Sequence, residues 1–175
     1  LPDAEPTILI FPPAVSLPAA AESTGGHREI SLGIQNIHWE PNGAFTGEHS
    51  AGMALAAGAR FALVGHSERR HLFGETDAEV ERKVAAALGE GLAPLVCVGE
   101  TLDERRDALV EEVIVRQLDA ALLGVAEDVR KPVLLRFDPS LDPILRVGLY
   151  GEESLISLRL LAEEEIKPEL ESLEG

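Results

Sequence analysis

The sequence predicts an α/β fold built on a parallel β-sheet, and two observations lead to that prediction. Short runs of aliphatic and β-branched residues alternate along the chain with longer segments of helical periodicity. Most of the short runs are almost continuously apolar, as strands of a parallel sheet are when both faces of the sheet are covered. Periodicity alone leaves open whether this sheet is open or closed into a barrel.

Six segments are predicted as strands because each is a short apolar run bounded by glycine, proline or polar residues. The predicted strands are residues 7–11 (TILIF), 29–34 (EISLGI), 60–65 (RFALVG), 93–99 (APLVCVG), 132–137 (PVLLRF) and 144–150 (ILRVGLY).

Three helices are predicted from periodicity and capping signals. The first has Thr76 as N-cap, Glu79 as the partner in a capping box and Gly91 as its C-terminal stop. The second covers residues 102–125, where apolar residues recur at helical spacing over about six turns. The third runs from Glu152 onward and is expected to kink or end near Pro168.

Composition and charge restrict the class of protein. The 175 residues suit one domain, and 45% apolar and 26% charged residues can form a sizeable core. A formal net charge of −16 argues against nucleic acid and anionic membranes as partners, although loop amides can still bind a small anion. A single cysteine, Cys97, favours a reducing compartment, and no apolar run reaches the roughly 20 residues of a membrane span. With no signal-like segment after Leu1, a cytoplasmic protein is expected.

The richest candidate site is the stretch FALVGHSERR, where a predicted strand ends in ionisable residues. Functional groups of α/β folds gather at the carboxyl ends of strands, and His66 and Glu68 occupy such an end. A helix beginning at SERR would disfavour the protonated imidazole, and Glu68 could relay a proton. In the structural alternative, His66 only caps a turn and Glu68 pairs with an arginine. A metal site formed by His66 and His71 is disfavoured, because a spacing of five does not place both on one helix face.

Other strand ends carry weaker candidates. Asp138 follows a predicted strand and is either a general base or a turn-forming Asp-Pro residue. Cys97 is most simply a small core residue within its strand. Glu100 and Asp103 follow that strand and could be only the cap of the next helix.

Several motifs carry a resemblance to a known family. The segments NGAFTGE, VGHSERRHLFGETD and VCVGETLDER resemble triosephosphate isomerases in order and spacing, and IQNIHWE just upstream is also similar. The resemblance is dense over about residues 29–106. It implies a TIM (β/α)8 barrel, of which about six βα units lie in this chain. Residues 1–175 would then be a single, incomplete barrel domain in which the first and seventh strands are not seen.

The resemblance also implies an activity, namely the interconversion of dihydroxyacetone phosphate and glyceraldehyde 3-phosphate through an enediolate, as in glycolysis and gluconeogenesis. His66 matches the neutral electrophile of the family, Glu68 belongs to the same site, and Asp138 matches the catalytic base. Gly148 and Gly151 match the phosphate-binding region of the eighth strand. No cofactor or metal is implied.

The same resemblance implies a homodimer. Phe45 and Thr46 lie at the tip of the NGAFTGE loop, which inserts into a pocket of a second subunit in the family. Glu48 matches a glutamate that meets an arginine of the partner, and Arg69 is the candidate for that arginine.

Four departures from the family pattern support an alternative hypothesis, a catalytically impaired or inactive barrel relative that acts as a binding or assembly protein. The catalytic lysine motif and the lid loop have no counterpart in the sequence. Asp138 stands where the family has glutamate, and Glu152 replaces the second glycine of the phosphate site.

Overall fold

The structure is a computed structural model that describes residues 7–123, 125 and 148–150. Strands and helices alternate over this part of the chain, as predicted. The strands are β1 (Thr7–Ile10), β2 (Ile30–Ile34), β3 (Phe61–Val64), β4 (Ala93–Val96) and β5 (Gly148–Tyr150). The helices are α1 (Leu17–Thr24), α2 (Ala51–Ala56), α3 (Ser67–Leu72), α4 (Asp77–Glu90), α5 (Leu102–Arg106) and α6 (Val110–Leu122), with a 3-10 turn, Ala14–Ser16, before α1.

The first four strands form a parallel sheet in which neighbours in sequence are neighbours in space. The strand order is β4-β3-β2-β1-β5, and β1, β2, β3 and β4 pair in parallel. Ile8 lies opposite Ile30, and Phe61 lies between Gly33 on one side and Ala93 on the other. This succession of parallel strands with intervening helices is the order in which a (β/α)8 barrel is built, so the predicted fold class is confirmed.

In the predicted strand 144–150, the described residues depart from the all-parallel expectation. Its described part, β5, pairs antiparallel with β1, and Leu149 lies opposite Ile8. The outer edge of β1 is the edge of the parallel set, and unpaired backbone groups on such an edge accept a strand in either direction. Periodicity within a strand carries no information about its direction, so the sequence could not have supplied this detail.

Two predicted elements and two candidate site residues have no described counterpart. The predicted strand 132–137 and the predicted helix from Glu152 onward, including Pro168, lie outside the described residues. The same holds for the candidate site residues Asp138 and Gly151.

The hydrophobic core lies between the sheet and the helices. On β3, Ala62 and Val64 are fully buried and pack with Val80 and Val84 of α4, whereas Phe61 is only partly covered. On β3, therefore, the helix-facing side is more deeply buried than the other side, instead of the equal burial on both faces that the apolar runs predicted. As a result, α4 is packed against β3, and the candidate site begins at the end of that strand.

The predicted capping box of α4 is confirmed. Thr76 accepts from the backbone N–H of Glu79, while the Glu79 carboxylate accepts from the Thr76 backbone and hydroxyl. These hydrogen bonds, that to the backbone N–H first, hold the pKa of Glu79 below its usual value. The helix ends at Gly91, whose φ of 86° is the left-handed conformation expected of a glycine stop.

The long helix predicted over residues 102–125 is wrong as a single element. It is divided into α5 and α6 by a turn in which Ala108 has a φ of 59°. Thr101 caps α5 in a second capping box with Glu104, whose pKa is lowered by the backbone N–H and hydroxyl of Thr101. Apolar spacing is continuous across Ala108, so periodicity alone could not locate the break.

Candidate active site

The candidate site is built around the exit of β3. Gly65 follows the strand with a φ of 74°, and this left-handed residue turns the chain so that His66 becomes the N-cap of α3. Nδ1 of His66 accepts a hydrogen bond from the backbone N–H of Glu68 at 3.4 Å. The predicted helical turn at SERR is therefore present, and the imidazole is part of its beginning.

This capping contact favours one tautomer of the neutral imidazole. Because Nδ1 of His66 accepts from a backbone amide, the proton of the neutral ring is assigned to Nε2. Nε2 is then a hydrogen-bond donor, as an electrophile that polarises a substrate oxygen must be. The capping alternative and the catalytic hypothesis are thus compatible, since the cap itself selects the donor tautomer.

Glu68 lies beside His66, as predicted, on the Nδ1 side of the ring. Its carboxylate Oε2 is 3.6 Å from Nδ1, and its side chain is 65% exposed. The alternative in which Glu68 pairs with a neighbouring arginine is not what the structure shows for these residues. Arg69 donates to Glu75 at 3.1 Å and Arg70 donates to Asp77 at 2.6 Å.

A buried polar cluster behind His66 was missed by the sequence reasoning. Glu75 and Lys83 form a buried ion pair, and Lys83 Nζ also donates to Oδ1 of Asn36 at 2.7 Å. A signal was available, because Lys83 falls on the apolar face of α4 among residues that become buried. A lysine in such a position needs an anionic partner.

Two glutamine side chains, the exposed Gln35 and the buried Gln117, hold the neighbouring strand exits. Nε2 of Gln35, just after β2, donates to the carbonyl of Phe11 at 2.9 Å. Gln117 of α6 bonds both backbone groups of Gly99, accepting from its N–H at 2.8 Å and donating to its carbonyl at 3.1 Å. The carboxyl edge of the sheet is therefore tied together by long-range hydrogen bonds.

The candidates after β4 have structural contacts. Cys97 lies just beyond the strand and is partly buried, so it is not the strand-interior residue that was expected. Thr101, not Glu100 or Asp103, caps the following helix. Glu100 accepts from Arg105 at 2.6 Å, and Asp103 accepts from Arg106 at 3.2 Å.

The predicted interface residues lie on the surface. Thr46 and Glu48 are exposed, while the ring of Phe45 packs on His38 with centroids 4.3 Å apart. Arg69 donates to Glu75 within its own chain, and its guanidinium lies 5.2 Å from the ring centre of Phe73. The predicted contact of Arg69 with a partner's Glu48 stays a prediction.

The remaining candidate residues are those predicted to bind the phosphate and the one predicted to act as the base. Gly148 is the first residue of β5, and Asp138 and Gly151 lie outside the described residues. Within the described ranges, no three potential ligand side chains gather as a metal site would require. In the same part of the chain, every helix is too short or too polar to cross a bilayer.

Comparison with known proteins identifies the family. A sequence model described as triosephosphate isomerase matches residues 2–140. The chain belongs to the triosephosphate isomerase family. A triosephosphate isomerase of Synechococcus sp. (strain JA-3-3Ab) is 45% identical over 141 residues, covering 81% of this chain and 52% of the relative. That of Thermoanaerobacter pseudethanolicus is 35% identical over 186 residues, covering 95% and 75%.

A solved structure gives the same assignment. The crystal structure of triosephosphate isomerase from Bartonella henselae is 47% identical with a TM-score of 0.64, covering 67% of this chain and 49% of that chain. The chain spans about half the length of most of the curated relatives it matches. The family resemblance drawn from the sequence motifs is confirmed.

Proposed function

We propose that the protein is a triosephosphate isomerase that interconverts dihydroxyacetone phosphate and glyceraldehyde 3-phosphate through an enediolate, a step of glycolysis and gluconeogenesis. The observation that carries this proposal is the capped imidazole of His66, in which the Nδ1 contact leaves Nε2–H as the donor. A neutral donor held at a strand exit is preorganised for charge that develops on a substrate oxygen. Family membership supports the same reaction.

Each proposed residue has a defined task. Nε2–H of His66 polarises the substrate oxygens, and the carboxylate of Asp138 removes and returns the proton between the two carbons. The backbone N–H of Glu68 holds the ring in its donor tautomer. Backbone amides of Gly148 and Gly151 bind the phosphate, which lets an anionic substrate bind to a chain of net charge −16. No cofactor or metal takes part in this scheme.

We also infer a homodimer in the cytoplasm, formed by single barrel domains to which residues 1–175 belong. The inserted loop would be that of Phe45, Thr46 and Glu48, and the receiving surface would include α3. Support for the receiving surface comes from Leu72 and Phe73 at its end, which are 77% and 71% exposed. The single cysteine of the chain agrees with a reducing compartment.

The test replaces the proposed electrophile in the intact protein. We expect His66→Gln to lower turnover by about 100-fold or more, the scale of losing one preorganised donor, while circular dichroism shows a retained fold. The matched control is His27→Gln, because the side chain of His27 is 59% exposed and lies outside the proposed site and interface, so this variant is expected to keep the turnover of the parent. Turnover is followed by coupling glyceraldehyde 3-phosphate formation to a dehydrogenase.

Two outcomes would contradict the proposal. A folded His66→Gln variant with parental turnover would remove His66 from the mechanism. A folded parent protein without isomerase activity would favour the inactive relative. No feature of the described residues currently favours that alternative, and the relatives reported above are named triosephosphate isomerases.

A further inference from the structure

The buried carboxylate of Glu75 lies at the turn that presents His66. Its Oε2 accepts from the backbone N–H of Gly65 at 3.2 Å, and its Oε1 accepts from Nε of Arg69 at 3.1 Å and from Nζ of Lys83. Glu75 lies between α3 and α4 in the chain, so none of these contacts belongs to a helix cap. One side chain thus binds the residue before His66 and a residue on the helix that His66 begins.

The turn at Gly65 is enclosed and leaves little freedom to the residue that follows. Nε of Arg70 donates to its carbonyl at 2.8 Å, so both backbone groups of Gly65 are bound by side chains. A methyl group added at Gly65 would lie 2.9 Å from Nη2 of Arg70 and 3.1 Å from the carbonyl oxygen of Cys97. The backbone position of Gly65 therefore determines the position of His66 directly.

We propose that Glu75 is a positioning residue for the isomerisation, holding the Gly65 turn so that Nε2–H of His66 faces the substrate. This inference rests on the proposed function. A carboxylate is required because the three donors approach from two sides, and only a carboxylate accepts through both oxygens. The amide of a glutamine would turn its NH2 group toward either Gly65 or the two cations, and one side would lose its acceptor.

The experiment compares Glu75→Gln with a control that weakens the same region without touching the turn. Val84→Ala serves as the control because Val84 is buried on α4 next to Lys83, yet its apolar side chain accepts none of the hydrogen bonds that Glu75 accepts, and it has no role in the scheme. Both variants are made in the intact protein and studied below their unfolding temperatures. We measure kcat and KM, and we record the imidazole nitrogen resonances of His66 by NMR.

We expect Glu75→Gln to lower kcat by about 30- to 100-fold, because misplacing a catalytic group by about 1 Å costs roughly 100-fold. KM should change less than about threefold, since Glu75 does not reach the substrate. The His66 resonances should change from the Nε2–H tautomer to a mixture of tautomers. Val84→Ala should lower the unfolding temperature and leave kcat and the His66 resonances as in the parent.

A second variant covers the case in which Glu75→Gln does not fold. The double variant Glu75→Leu/Lys83→Met replaces the buried ion pair with apolar side chains of similar volume, a change that proteins often tolerate. It leaves no carboxylate for Gly65, so the same loss of kcat and the same mixture of tautomers are expected.

The outcomes separate this inference from the proposed function. A folded variant with parental kcat and an unchanged His66 tautomer would overturn the role of Glu75, as would an equal loss of kcat in Val84→Ala. An inactive parent would instead overturn the proposed function. In that case the NMR comparison still decides whether Glu75 orients His66.

Discussion

The side chain of His66 combines a structural contact with a chemical state. By accepting from the backbone N–H of Glu68, Nδ1 satisfies one of the unpaired amides at the beginning of α3. The same contact favours the tautomer with the proton on Nε2. Helix capping and the proposed chemistry therefore require the same tautomer of the neutral ring. A serine or asparagine would cap the helix as well, but neither would present an imidazole donor.

Gly33 is a second residue whose identity is explained by a neighbour. The ring of Phe11 leaves no room for a side chain at this position. Leu32 and Ile34 face the helices, so Gly33 faces the opposite side. A Cβ placed on Gly33 would lie 2.1 Å from the ring of Phe11. The absence of a side chain at Gly33 is what lets the Phe11 ring occupy this place beside the carboxyl edge.

We therefore expect Gly33→Ala to lower the free energy of unfolding by about 1–3 kcal/mol, the usual cost of overpacking. The measurement is urea denaturation followed by circular dichroism. In Gly33→Ala/Phe11→Leu the smaller side chain leaves room for the methyl group, so part of the loss should be recovered. Equal effects of Gly33→Ala in the presence and absence of the Phe11 ring would show that the clash is not the cause.

At the scale of elements, the turn between α5 and α6 is closed by a residue in an unfavourable conformation. Leu109 N–H donates to the carbonyl of Glu104 at 2.9 Å, and Ala108 N–H donates to that of Arg105 at 3.2 Å. This is the hydrogen-bond pattern of a Schellman C-cap, in which glycine usually occupies the left-handed position. Ala108 occupies it here, with a φ of 59°.

We expect Ala108→Gly to raise the free energy of unfolding by about 0.5–1 kcal/mol, because glycine removes the left-handed strain at the cost of some entropy in the unfolded chain. The reverse change is Gly91→Ala at the end of α4, where φ is 86° and a Cβ would meet nothing within 4 Å. It should lower the free energy of unfolding by about 1 kcal/mol through the backbone alone. Thermal unfolding measures both, and a destabilised Ala108→Gly variant would contradict the explanation.

At the scale of the whole molecule, the proposed dimer depends on surfaces that the monomer leaves exposed. The tip of the 42–48 loop carries Thr46, and α3 ends in the exposed Leu72 and Phe73. A two-fold interface uses the same pair of surfaces twice, so both must occur in one chain. Arg69 connects this region to the site, because it lies on α3 and donates to Glu75.

We expect light scattering on a size-exclusion column to give the mass of a dimer at micromolar concentration for the intact protein. Thr46→Arg should produce a monomer, because a long charged side chain would have to enter the receiving surface of the partner. Ser23→Arg adds the same charge at an exposed position of α1 and should leave the dimer intact. A dimer that survives Thr46→Arg must use another surface.

The sequence by itself determined the features that depend on neighbours along the chain. Short apolar runs separated by helical segments predicted β1 to β4. The spacing of Thr76, Glu79 and Gly91 predicted both ends of α4. The motifs around His66 predicted the family. These predictions succeeded because capping bonds and strand periodicity act over a few residues, so the pattern and its physical cause lie in the same short segment.

The tertiary structure decided the features that depend on distant residues. Asn36 and Lys83 are 47 residues apart, and their contact with Glu75 forms only after α4 packs on the sheet. The direction of β5 and the break at Ala108 likewise left no mark on the apolar pattern. A buried charge is tolerable only where folding brings a partner to it, and no local pattern states which partner that will be.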